Sequence, residues 1–314
     1  MQAKTVSVGP ITAAVPNQVC ASQTPNAGQI VINGAGATFS INNVAGAQDP
    51  AGAGNLTLAA GAGSFGGPRY VYVTSASNDT SITFTIYGYG ANGGTLIETI
   101  TGANTKASVT RNQFIGVTQV AVSGNSGSVQ VGSFASASFT GGSTRQVTIT
   151  TAADERTNTF VVTGTDSNGA VISETVAGPN ATVATTVAYF RTVTSVTAAN
   201  NAAGALTVGM TNTGSSPWVR FDDFAPSNIS IQCDVSGTVT YTVQSSLDDP
   251  NDPFSPVAPS AMNWVNTSDA NVVAATTTQQ SNFLFAPKWA RVLVTTTSTG
   301  SVNGMFLQSS NGPK

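Results

Sequence analysis

The chain has 314 residues, room for two or three domains, and 8 % of them are charged, against roughly 25 % in an average soluble protein. Net charge −3 with 40 % hydrophobic residues excludes a disordered chain, and no run of about 18 apolar residues marks a membrane helix. The 11 Lys and Arg are scattered rather than clustered, which argues against nucleic acid as a ligand, and the lack of any His removes the commonest general base and metal ligand.

The first residues, Met1-Gln-Ala-Lys-Thr-Val-Ser-Val, lack the apolar stretch of a signal peptide, so we expect synthesis and retention in a cytoplasm until assembly. Residues 1–64 are rich in Gly, Ala, Asn and Pro, with short strand-like pieces at 29–33 and 55–58 and turn signals at Asp49-Pro-Ala-Gly and 61–68. We read this segment as an extended N-terminal arm with short strands. It adds them to the first domain or to a neighbouring subunit, and with little core to hold it, residues 2–31 are expected to lose order in the isolated protein.

From residue 65 the chain repeats itself. An offset of 76 residues carries Arg69 onto Arg145, Phe84 onto Phe160, Gly88 onto Gly164 and Asn92-Gly93 onto Asn168-Gly169. It also carries Glu98-Thr99 onto Glu174-Thr175, Gly102 onto Gly178 and Phe114 onto Phe190, with no gap from Arg69 to Val120. Solenoid periods are shorter, roughly 20–50 residues, so each copy is a small domain. In the first copy (65–140), Ile82, Phe84 and Ile86 alternate onto one face of a strand, Asn92-Gly93 is a short-hairpin signal with both residues at positive φ, and 95–100 is the return strand. The second copy (141–214) matches it element for element. Short strands with turns every 8–12 residues predict β-sandwiches.

Residues 215–314 form a third β-domain with a different pattern and all three Trp: Trp218, Trp264 and Trp289. A hairpin is predicted across Ser236-Gly237, joining 228–235 to 237–244, and 288–295 and 304–308 are the last strands. No amphipathic helix is evident. The fold expected is thus all-β: tandem β-sandwich (Ig-like or jelly-roll-like) domains with an extended N-terminal arm.

Candidate chemistry is sparse. Asp248-Asp-Pro-Asn-Asp252 offers oxygen ligands for calcium, but Pro250 and Pro253 break an EF-hand spacing, and a solvated Pro- and Asp-rich turn is the better reading. Asp222-Asp223 resembles half of a glycosidase pair, yet between Phe221 and Phe224 the two fit better as strand caps. Glu98 and Glu174 hold equivalent positions and are expected to pair with Arg69 and Arg145. Gly88-Tyr-Gly-Ala-Asn-Gly93 matches G-x-G-x-x-G but sits in a hairpin with no helix after it. The Tyr and Trp rings suit core or interface packing better than sugar stacking. Cys20 and Cys233 are read as unpaired buried thiols. No catalytic residue, metal ligand or cofactor site is assigned, and we expect no enzyme.

Several segments resemble β-sandwich modules of structural proteins of tailed bacteriophages. They are Arg145-Gln-Val-Thr-Ile-Thr-Thr-Ala, the run 162–180 and Tyr189-Phe-Arg-Thr-Val-Thr-Ser-Val; the stretch 235–250, with Trp289-Ala-Arg-Val-Leu-Val-Thr, looks like the end domain of such a protein. The resemblance covers roughly residues 45–310 and transfers no catalytic residue. It implies a virion protein made in the host bacterial cytoplasm. The first expectation is a capsid decoration or cement protein that touches the major capsid protein and neighbouring copies of itself, a homo-oligomer on the particle with no nucleic acid and no membrane partner. A tail, collar or fibre component is the alternative, and a carbohydrate-binding module or glycan-degrading enzyme the third reading. Weak charge and abundant Thr and Ser suit dense packing of copies.

Overall fold

A computed structural model describes residues 2–139, 143–225 and 228–309. The fold is all-β and sandwich-type, 54 % strand and 2 % helix, and among the described residues the helix is two 3-10 turns at Pro259–Ala261 and Ala270–Val272. The boundary between the two repeats, at 140/141, lies outside the described residues.

Each repeat folds as two facing layers. In the first, Val129–Ser138 pairs with Arg69–Ser75, and Arg69–Ser75 pairs with the first half of the long strand Ala107–Val122. The second half of that strand crosses to the other layer and pairs with Thr83–Gly90, which pairs with Thr95–Thr101. Phe84, Ile86, Phe114, Val117 and Val120 point between the layers and are fully buried. Alternate positions such as Thr83, Thr85, Thr118 and Gln119 are half-buried or exposed, as the two-residue period of a pleated strand requires. The second repeat copies this plan, but the long strand is split into Val183–Thr185 and Thr192–Ala198, one in each layer.

The repeated glycines have a steric cause. A Cβ at Gly88 would meet the Gly116 carbonyl oxygen, and one at Gly164 the Thr192 carbonyl oxygen, the equivalent atom. The hairpin loops differ in detail from the expected turn. Gly93 and Gly169 have positive φ (77° and 83°), whereas neither Asn92 nor Asn168 does. Gly90 N–H bonds the Gly94 carbonyl and Gly93 N–H the Gly90 carbonyl, leaving a three-residue loop closed by one left-handed glycine.

The N-terminal segment is extended and adds strands, but to all three modules rather than to the first domain alone. Gln2–Val8 pairs with Ser301–Gln308 of the third domain over seven residue pairs. Val15–Gln23 then pairs with Leu206–Ser215, and Gly28–Gln29 with Thr192–Ala198, both in the second repeat. Ala37–Gln48 pairs with Val129–Ser138, and Gly54–Asn55 with Ala107–Val122, both in the first repeat. Residues 2–31 thus have a core to hold them: Val8, Ile11, Val19, Cys20, Ile30 and Val31 are all buried. The expected loss of order rested on composition, which does not show how much of this segment alternate strands place inward.

The order of these pairings is nested. The N-terminal pieces run third domain, second repeat, first repeat, and the bodies then run first, second, third. The two inner pieces are themselves a repeat. Gly28 pairs with Ala198 as Gly54 pairs with Val122, the equivalent position, and Gln23-Thr-Pro25 and Gln48-Asp-Pro50 precede them. The repeated unit is therefore longer than the 76-residue match suggested, with its first strands displaced to the N-terminal segment.

The third module places Gln2–Val8, Ser301–Gln308, Ile229–Ser236 and Gln279–Asn282 in one sheet. Facing it lie Val219–Arg220, Trp289–Val294, Tyr241–Ser246 and Val265–Asn266. The hairpin expected across Ser236-Gly237 is absent: its two strands belong to opposite layers. Ile231 and Cys233 on one meet Tyr241 and Val243 on the other inside the core, and Gly237 (φ 78°) turns the chain between layers. Sheets run across the seams. Ala137↔Val193 joins the first repeat to the second, and Ser215↔Leu293 joins the second to the third module.

Candidate functional site

The carboxylates singled out in the sequence serve the protein's own backbone. Both oxygens of Glu98 accept main-chain N–H groups of a bulge, from Arg111 at 2.5 Å and Asn112 at 3.0 Å. Glu174 does the same for Val187 at 2.7 Å and Ala188 at 2.8 Å. The hydroxyl of Thr110 accepts from Val71 N–H and donates to the Asn112 carbonyl, and Thr186 repeats this with Val147 and Ala188. Arg69 and Arg145 are not their partners. Bulged N–H groups without a ladder partner need an acceptor, and a carboxylate reaching across from the edge strand supplies it. Arg145 instead is fully buried, its guanidinium donating to the carbonyl and hydroxyl of Thr12 at 3.3 Å, with burial pulling its pKa down to about 10. One further matched pair was not foreseen. Buried Asp79 accepts from Ser75 Oγ and Gly127 N–H, while buried Glu155 accepts from the N–H groups of Ala203 and Gly204. The shared offset was the signal that could have found it.

The Asp248–Asp252 loop is held shut by its own bonds. Asp248 accepts from Asn263 N–H, and Asp252 from the N–H groups of Phe254 and Ser255. Asp249 accepts from Asn251 N–H at 2.9 Å, the Trp289 indole at 3.2 Å and Arg220 at 3.0 Å. Burial alone would raise the Asp249 carboxyl, but these donors outweigh it and hold the group below its ordinary value. Among the described residues no group of three or more Cys, Asp or Glu is placed to hold a metal ion. Asp222 caps a turn through Phe224 N–H, and Asp223 pairs with Lys288 at 2.6 Å and Arg220 at 3.4 Å. Gly88–Gly93 lies in a strand and its hairpin loop, with no helix following.

The tryptophans pack together. Trp218 lies 5.2 Å from Trp264 and 6.2 Å from Trp289, ring centre to ring centre, over Met262. Cys20 and Cys233 are buried free thiols, both pushed up by burial, Cys233 to about 12.

Comparison with protein-family models and with curated proteins found no match.

Among the described residues, two surfaces present exposed apolar side chains together with charged ones. The first is a tip of the third module made by three loops. Phe224 is 92 % exposed, Phe254 94 % and Leu284 80 %, with Phe285 and Leu247 exposed beside them. The loops are tied by the Asp223–Lys288 and Arg220–Asp249 ion pairs and by the ring contact of Phe283 with Phe221 at 6.0 Å. The second is a groove where the first repeat meets the N-terminal strands of the second. Two cavities of about 630 and 620 Å³ adjoin there, with Gln29 and Ala107 lining both. Phe39 and Tyr72, stacked at 5.5 Å, line the second of them with Ile41 and Lys106, and Arg111 lines the first. Sequence reasoning missed both. Phe254 in a loop of Pro and Asp was the one local signal for the tip, and the groove has none, because its walls are about 80 residues apart in the chain.

Proposed function

We propose that this chain is a structural virion protein of a tailed bacteriophage, made in the host bacterial cytoplasm. In this reading it is a capsid decoration or cement protein that binds the outer surface of the head and stabilises the major capsid protein lattice. The observation that carries the contact role is the exposed apolar tip at Phe224, Phe254 and Leu284, on a chain whose candidate acids are engaged with its own backbone and ion pairs. The placement in a virion comes from the resemblance of the second repeat and the third module to phage β-modules.

Decoration acts by mass action: a protein that binds the assembled lattice, and not its dispersed subunits, stabilises the lattice by its binding free energy. A weakly charged surface rich in Thr and Ser favours this, since copies crowd without strong repulsion. The N-terminal segment is already paired within the chain, so the bridging role falls to the tip and the exposed sheet faces rather than to a free arm. Packing of the tryptophans against one another favours a structural role for these rings over sugar stacking.

The test is titration of the purified protein onto particles lacking it, with occupancy and heat resistance read together. Saturation at a capsid-wide stoichiometry with a raised capsid melting temperature supports decoration. Saturation at a copy number fit for a single vertex, with melting unchanged, moves the protein to the tail or collar. No binding to particles rejects both.

A further inference from the structure

The tip and the groove are complementary in both shape class and charge. Around Phe224, Phe254 and Leu284 stand Asp222, Asp223, Asp248, Asp249 and Asp252, against the cations Arg220, Lys288 and Lys4, whose ammonium donates to the Arg220 carbonyl. Among the described residues the tip therefore carries an excess of negative charge around an apolar crown. The groove is the converse. It has an apolar lining at Phe39, Tyr72 and Ile41, the last 63 % exposed, and cations at Lys106 and Arg111. Glu98 is the one acid among its described lining residues, against the two cations Lys106 and Arg111.

Three occupants of the tip can be weighed on this basis. A second tip is disfavoured, because it would set like charges against each other. A lipid surface is disfavoured where it is anionic, for the same reason. A groove on a second copy brings acids against cations and aromatic rings against an apolar floor, and cavities of some 300–1,000 Å³ are of the size that takes such side chains.

We propose that the tip of one copy docks in the inter-repeat groove of the next. The two surfaces lie on different modules, so the contact is heterologous. It propagates head to tail and yields open chains or closed rings rather than a symmetric dimer. This contact assigns to a neighbouring copy the same tip that carries the contact role above, and because its test uses the purified chain alone, its failure leaves the virion reading standing.

Phe254→Ser with Leu284→Ser removes the crown, and Ile41→Asp with Lys106→Glu spoils the groove. Phe254, Leu284 and Ile41 are exposed and Lys106 is half-buried. Far-ultraviolet circular dichroism and melting check that each variant folds, and Lys106→Glu alone serves as a milder groove variant. In sedimentation at low salt, wild type is expected to gain mass with concentration and to lose it as salt rises. Either double variant alone is expected to stay monomeric, with association weakened at least tenfold. Mixed together, the two keep one intact tip and one intact groove, so they are expected to form a 1:1 complex that grows no further. A wild type that is monomeric at about 100 µM, far above the Kd of a standard-size contact of even modest strength, overturns the proposal. So does association that survives the tip substitutions, or binding of wild type to neutral phosphatidylcholine vesicles through Phe254 and Leu284 with no self-association.

Discussion

The guanidinium carbon of Arg291 lies 4.1 Å from the ring centre of Trp264 and 4.9 Å from that of Tyr189. Tyr189 belongs to the second repeat and Trp264 to the third module, so one buried cation fills the gap between two modules. Its Nε and one terminal nitrogen both donate to the Gln244 side-chain oxygen, at 2.9 and 2.8 Å, and burial lowers its pKa to about 10. Among the described residues no carboxylate pairs with it; the ring faces stabilise the charge, as a desolvated cation–π contact allows.

Arg291→Ala should therefore cost about 2–4 kcal/mol, combining a lost cation–π contact, two lost hydrogen bonds and a cavity. Arg291→Met should cost roughly half as much, because it keeps the space between the rings filled. Denaturant unfolding followed by tryptophan fluorescence measures both. An Arg291→Ala protein as stable as wild type would remove the residue from the account of how the modules hold together.

Acid should loosen the third module through Asp249. The folded pKa of this carboxyl is depressed, so its contribution is fully present above the unfolded value, about 3.9, and is lost as pH falls through the lower folded value. All three tryptophans of the chain sit in that module, and the Trp289 indole donates to Asp249 itself, so fluorescence reports this site selectively. Emission should hold steady from pH 7 to about 4 and shift below it. Asp249→Asn should lower stability at pH 7 and shrink the acid dependence. An identical acid profile in the variant would refute the assignment.

Much of the fold was legible in the sequence, and the limit is physical. Ile82, Phe84 and Ile86 show their strand by alternation, and the offset from Arg69 to Arg145 shows the duplication, because both signals are local or self-similar. The pairing of Gln2–Val8 with Ser301–Gln308 is neither: its partners stand about 300 residues apart, and nothing in either segment names the other. Gly237 is a turn in any reading, but a turn residue does not say whether the chain folds back within a layer or crosses to the next. Glu98 illustrates the same gap at the candidate site. Its repetition at Glu174 was visible, whereas the bulged N–H groups it serves became visible only with the register of the long strand. The tip and groove depend on exposure, which composition does not encode.

The nested order makes a prediction about how the modules come apart. Gln2–Val8 is an edge strand of the third module alone, next to Ser301–Gln308 and one strand away from Ile229–Ser236, which carries Cys233. Cys20 lies on Val15–Gln23, which closes the second repeat opposite Val208. Burial holds both thiols in the unreactive protonated form. Deleting residues 2–8 should thus expose Cys233 to a thiol reagent and leave Cys20 protected, since the second repeat keeps all of its strands. Labelling of Cys233 should accelerate about tenfold for each 1.4 kcal/mol of local stability lost, in the regime where reagent attack follows opening. Mass spectrometry of the labelled peptides distinguishes the two cysteines. Equal acceleration at both would mean that the modules unfold as one unit and that nesting does not partition their stability. Acceleration at Cys20 with Cys233 still protected would contradict the pairing order itself.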